Sequence, residues 1–175
     1  MQRDMLLNPY ELQGFHVIKD SALTAITAYL KKQHVLSLCA GDAQSLWSAN
    51  CFYAFNELDM SFYMLTDHAT RHGQLLALNP LVAGTISDQT ITVSLIKGAQ
   101  YRGEMSVLSG EEAQEARRRY TGRFPLTKLA TTPIWRLRLD EVKLTNNTLG
   151  FGTKLSWQRN PPTTPADDAD VHEGT

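Results

Sequence analysis

Only two of the 175 residues are cysteine, Cys39 and Cys51. That is too few for a disulfide framework, and they lack the close pairing of a zinc site. Both stand in apolar, strand-like surroundings, where a free cysteine behaves as a small hydrophobe. No apolar run approaches the ~20 residues that a membrane-spanning helix needs. The first twenty residues mix Arg3, Asp4, Glu11 and His16 among apolar side chains, unlike the compact apolar block of a secretory leader, so the expected location is the cytoplasm. Dense basic character is lacking too. The first 160 residues carry 17 Lys and Arg against 14 acids, short of the basic face of a nucleic-acid binder. Missing as well are a Walker-type phosphate loop, a G-x-S-x-G elbow, an H-E-x-x-H pair and a C-x-x-C pair. Among five histidines only His68 and His72 share i,i+4 spacing, and no third ligand stands nearby to complete a metal site.

What is present suits one globular domain: 42% hydrophobic and 20% charged residues. Residues 1–20 have no clean period and read as an N-terminal extension, irregular or partly helical. Asp20 and Ser21 offer N-cap chemistry to a helix over about 21–33 that ends in Lys31 and Lys32. Strands are predicted at His34–Ala40, Leu46–Phe55, Met60–Leu65, Leu81–Ile86, Ile91–Ile96, Tyr101–Leu108 and Ile134–Leu139, the last continuing into Glu141–Thr145. Gly103 marks a bulge or a close approach. A short helix lies within Thr66–Leu78, with Thr70 or Asp67 as cap and Asn79-Pro80 as stop. Ser109 and Glu112 form an S-x-x-E capping box for a helix that ends near Gly122, and Arg117 to Arg119 read as its solvated face. Residues 161–175 hold Asp167, Asp168, Asp170 and Glu173 with almost no bulky apolar side chain, and are expected to be a disordered acidic tail. Strands arrive in runs instead of alternating with helices, which predicts a mostly antiparallel α+β barrel over residues 21–160.

Chemistry concentrates in Phe62–Pro80. A strand ends at Leu65, Thr66 and Thr70 supply hydroxyls, and Arg71-His72 open a short helix. Hydroxyls, a guanidinium fork and helix N-terminal amides together make a phosphate cradle. Trp47 and Trp135 read as core or interface aromatics, either of which could flank a planar ligand.

This segment resembles the flavin-phosphate motif of the pyridoxamine-phosphate-oxidase-like split barrels: Leu65-Thr66, then Thr70-Arg71-His72, then Asn79-Pro80, then Val82-Ala83-Gly84-Thr85. A closer resemblance, over about residues 22–160, is to the YhbP-like proteins of that superfamily. It is carried by Lys32–Val35, Leu46–Phe55, Thr70–Gln74, Leu95–Glu104, Gly122–Pro125 and Leu139–Gly152. The resemblance implies a split β-barrel with a few short flanking helices, working as a homodimer with FMN sites at the subunit interface and a small-molecule substrate. It implies that Asn50 lies along the flavin ring, that Leu65 and Thr66 face the ribityl chain, and that Thr70, Arg71 and His72 hold the phosphate. Lys97, and across the interface Lys128, are implied as further contacts. An open apolar face for the ring is expected from Phe52, Tyr53 and Trp47. The chain departs from the wider superfamily at His72, where a Lys is usual. It also lacks the Arg-Leu-Xaa-Pro ending of true pyridoxamine-phosphate oxidases, so vitamin B6 oxidation is not expected.

Overall fold

The computed structural model describes residues 9–160, with side-chain surroundings from residue 21 onward. The disordered-tail expectation for 161–175 and the start of the N-terminal extension therefore lie outside the described residues. The first helix, α1 (Pro9–Lys32), begins well before residue 21, so Asp20 and Ser21 sit inside it and do not cap it. Its buried side chains Ile26, Tyr29 and Leu30 meet the barrel.

Eight strands follow: β1 (Val35–Gly41), β2 (Leu46–Phe52), β3 (Ala54–Asn56), β4 (Ser61–Leu65), β5 (Leu81–Ser87), β6 (Lys97–Val107), β7 (Ile134–Asn146) and β8 (Lys154–Gln158), with α2 (Arg71–Leu78) between β4 and β5 and α3 (Gly110–Arg123) between β6 and β7. All pair antiparallel in the order β2-β1-β5-β6-β7-β4-β3, and β8 also pairs with β7. β2 and β3 occupy opposite ends of this order although only Tyr53 separates them in the chain. The sheet must therefore curl until its two edges meet at that residue, which makes a split α+β barrel.

The long strand expected over Leu46–Phe55 is thus broken at Tyr53. Its amide bonds the carbonyl of His34 (3.0 Å), and its buried ring sends the hydroxyl to the Leu30 carbonyl (2.8 Å). Two further buried tyrosines do likewise. Tyr29 reaches the carbonyls of Ile86 and Lys97, and Tyr101 reaches that of Ser37 (2.9 Å). Each ring adds apolar mass to the core while its polar end is satisfied.

Gly103 sits where the register between β6 and β7 shifts, as expected. Arg102 faces Glu141 but Gly103 faces Leu139, so Asp140 is the extra residue. The shift moves the inward face of β7 from Trp135, Leu137 and Leu139 to Val142 and Leu144, all buried. A Cβ at Gly103 would lie 2.1 Å from the Arg138 carbonyl oxygen, so the close approach demands glycine.

Three further expectations are corrected. Ile91–Ile96 is no strand: β5 and β6 close as a hairpin at Ser87 and Gly98. The residues between them form an excursion with one 3₁₀ turn at Val93–Leu95, because no neighbouring strand remains to pair with them. The capping box does not form. Ser109 makes no side-chain cap bond, Gly110 enters the helix at φ +59°, and Glu112 faces Arg136 instead (3.6 Å). Arg117 is not part of a solvated face. It donates to the carbonyls of Ala130 (2.9 Å) and Thr132 (2.6 Å), while Arg118 and Arg119 share Glu115 at the surface.

β8 was not anticipated, nor was the residue that follows it. Arg159 donates to the carbonyls of Leu139 (2.8 Å), Asp59 (2.6 Å) and Met60 (3.2 Å), tying β8 to the β3–β4 turn. Replacing it by Ala removes charge-assisted bonds to partly buried carbonyls, a loss of about 2 kcal/mol. The melting temperature is expected to fall by roughly 4–8 °C for a chain of this length, and scanning calorimetry checks it.

Candidate functional site

The site grows out of the connection from β4 to α2. Asp67 shapes the turn by accepting the Ala69 amide on its carboxylate (2.7 Å). Thr70 is the N-cap, accepting the Gly73 amide on its hydroxyl (3.1 Å). Gly73 is required here because a Cβ would stand 2.3 Å from the Asp67 carbonyl oxygen. Gln74 bonds the Thr70 carbonyl (2.9 Å), so the amides of Arg71 and His72 are left as the first-turn donors without an intrahelical acceptor. Asn79 ends the helix as expected, donating its side-chain Nδ2 to the Gly41 carbonyl (2.8 Å) and accepting the Leu81 amide on Oδ1 (3.1 Å).

His72 turns inward between two hydroxyls, those of Thr66 and Thr70. The Thr70 proton is committed to the Asp67 carbonyl (2.7 Å), so its contact with His72 Nε2 (3.1 Å) is met by an Nε2–H donor, an assignment made from the network. Thr66 is buried (5% exposed) and fixed at both ends. Its amide bonds the Pro133 carbonyl, and its carbonyl accepts Trp135 Nε1–H (3.1 Å). Burial pushes the His72 imidazolium below its ordinary 6.5, so the ring is neutral near pH 7. The folded state then binds fewer protons than the unfolded one between the two values. The His72 contribution to stability is complete above the ordinary value and is lost as pH falls through the depressed one. Wild type is expected to lose melting temperature more steeply than His72→Gln from about pH 7.5 to about pH 5.5, and parallel pH series of thermal melts check it.

Arg71 is exposed, and its guanidinium stacks over the Trp47 ring, 4.3 Å from the centroid, with Ser45 Oγ 3.5 Å away. Among the described residues no carboxylate pairs with it. Thr66, Thr70, Arg71 and His72 are therefore brought together as expected, with Leu65 at the strand end packing toward α3. Ser45 is an addition, and Trp47, expected beside the flavin ring, stands instead under the Arg71 guanidinium. The pair needed to find them is 24 residues apart and meets only through the fold.

The remaining expected residues stand elsewhere in the protomer. Asn50 is exposed on β2 opposite Ser37, on the face away from Trp47 by strand alternation. Lys97 begins β6, whose far end Val107 pairs with Trp135 beside the cradle, so about 30 Å of strand separates them. Its surroundings are Tyr29, Lys32, Asp88 and Asn146. Lys128 is exposed in the loop that leads to Pro133. Tyr53 is in the core and lines no open face, whereas Trp47 and Phe52 are 41% and 55% exposed. His68 packs against Trp135 (4.9 Å) and diverges from His72, and no metal-ligating cluster occurs among the described residues. No helix among them is long and apolar enough to cross a membrane.

The architecture is a split barrel, and solved structures share it at low identity. A haem-binding protein from Mycobacterium smegmatis matches with a TM-score of 0.63 and 16% identity over 81% of this chain and 57% of its own. An FAD-binding protein from Mesorhizobium loti matches at 0.56 and 14%, over 67% and 89%. A candidate pyridoxamine 5'-phosphate oxidase from Listeria innocua matches at 0.56 and 12%, over 73% and 99%. A UPF0306 protein of Yersinia pestis is 52% identical over 137 residues, 78% of this chain and 93% of that one. The chain belongs to the UPF0306 family. No family profile matches it.

Proposed function

We propose that this is a cytoplasmic FMN-binding protein of the YhbP-like type, a homodimer that uses the flavin as an oxidoreductase on a small substrate. The observation that carries the reading is the cradle at α2. Arg71 has its N–H edges unspent on any carboxylate among the described residues, beside two first-turn amides and the Thr66 hydroxyl. That donor set suits a phosphate monoester, so the residues present fit the phosphate end of FMN. Bound there, FMN would supply reversible hydride chemistry at its ring.

The chain's own part is to bind and orient. Arg71 and the helix amides would take the phosphate, Thr66 would donate its hydroxyl proton toward the chain next to it, and neutral His72 would hold both threonines in place. A second copy is what would bring Asn50, Lys97 and Lys128 to a cradle they do not reach within one protomer.

A second reading, a flavin- or haem-binding protein without turnover, is supported by the haem-binding neighbour of the same fold. Absorption spectra after incubation with FMN and with haemin, followed by addition of a nicotinamide donor, separate the readings. The proposal expects retained FMN that bleaches on reduction. Retained haem with no flavin uptake would replace it by the second reading.

A further inference from the structure

The β1–β2 turn is built as a rigid unit facing the cradle. Asp42 accepts the amides of Gln44 (2.9 Å) and Ser45 (2.7 Å) on one carboxylate oxygen, which holds its carboxyl below the usual range. Asp42 N–H returns to the Ser45 carbonyl (2.9 Å). Gly41 permits the tightness, since a Cβ there would meet the Ser45 oxygen at 2.6 Å. The same Gly41 offers its carbonyl to Asn79 at the end of α2, so the turn and the helix are clamped together. This unit places the Trp47 indole under Arg71 and the Ser45 hydroxyl at its edge.

A surface arginine is usually oriented by a carboxylate, which occupies its donors. Stacking orients it differently: the indole takes the face of the guanidinium and leaves the N–H edges in the plane available. We infer that Trp47 and Ser45 are positioning residues that hold Arg71 for a phosphate-bearing ligand, acting through the guanidinium and not on the rest of the ligand. The inference rests on the phosphate reading of the cradle, though not on the ligand being a flavin.

The test is a set of titrations of wild type, Trp47→Ala, Trp47→Phe, Ser45→Ala, Arg71→Ala and Arg71→Ala/Trp47→Ala. FMN and riboflavin binding are followed by flavin fluorescence, and inorganic phosphate binding by calorimetry. Trp47→Ala is expected to weaken FMN and inorganic phosphate by about fivefold and to leave riboflavin within about twofold, since riboflavin has no phosphate. Trp47→Phe, which retains an aromatic face, recovers most of the loss. Ser45→Ala weakens phosphate by about twofold and keeps the measurement informative if Trp47→Ala folds poorly. The double variant binds no more weakly than Arg71→Ala alone. Equal weakening of FMN and riboflavin would mean that the indole stacks on the flavin and would overturn the inference, as would unchanged FMN and phosphate binding in Trp47→Ala. Where riboflavin does not bind, the phosphate series decides. Wild type that binds phosphate but not FMN removes the flavin reading and leaves the inference to that series. Wild type that binds neither removes both.

Discussion

Arg71→Ala is expected to bind FMN at least tenfold more weakly than wild type. A charge-assisted bond to phosphate contributes about 1.5–3 kcal/mol, and 1.4 kcal/mol is a factor of ten in affinity. The loss should appear in binding alone. Arg71 is exposed and its protein partners are one indole face and one long hydroxyl contact, so its removal leaves no buried group without a partner. Fluorescence titration beside a thermal melt checks both parts: weaker FMN binding with a melting temperature within about 2 °C of wild type. Unaltered affinity would take the phosphate away from α2.

The largest effect on stability is expected at Gly84. This residue pairs with Tyr101 across β5 and β6 and with Leu38 on β1, and the Tyr101 ring lies over it to reach the Ser37 carbonyl. A Cβ at Gly84 would stand 1.9 Å from that same Ser37 oxygen and 2.3 Å from the Tyr101 hydroxyl. Neither can give way cheaply, because one is ladder backbone and the other is a buried ring. Gly84→Ala therefore forces the strands apart and breaks the tyrosine bond, at a cost of about 3 kcal/mol or more. The expected fall in melting temperature is roughly 6–12 °C. Gly122 in α3 is the contrast, with nothing within 4 Å of a Cβ. Gly122→Ala should be neutral or stabilising by up to about 1 kcal/mol. If the two alanines behaved alike in melts, the packing account of Gly84 would be wrong.

The parts of the fold legible in the sequence were those set by local chemistry. Thr70 as cap, Asn79-Pro80 as stop and Gly103 at a register shift each follow from a residue's own conformational and bonding needs. Ile91–Ile96 was misread because a β-branched apolar run resembles a strand, whereas pairing partners decide whether it becomes one. Lys154–Gln158 does carry a strand signal, with Leu155 and Trp157 alternating with Lys154, Ser156 and Gln158, but it is only five residues long and needs the ladder that β7 supplies. Arg159 hydrogen-bonds only backbone carbonyls, which no residue type signals, and its one ring contact is with Trp157 of its own strand end (5.5 Å). Within the site, Thr66 to His72 lie on one short stretch and were read together. Ser45 and Trp47 reach Arg71 only because β1 pairs with β5 and Asn79 ties the β1–β2 turn to α2, a topological fact that spacing does not encode. Lys97 was grouped with the cradle by resemblance, and strand length separates the two within a protomer.

The function proposed here requires that the cradle take a flavin phosphate. The direct measurement is titration of FMN with the wild-type protein, followed by quenching of flavin emission. It predicts saturable quenching at one FMN per protomer with a Kd of about 1 µM or tighter. No saturable quenching at protein concentrations up to about 100 µM would contradict it.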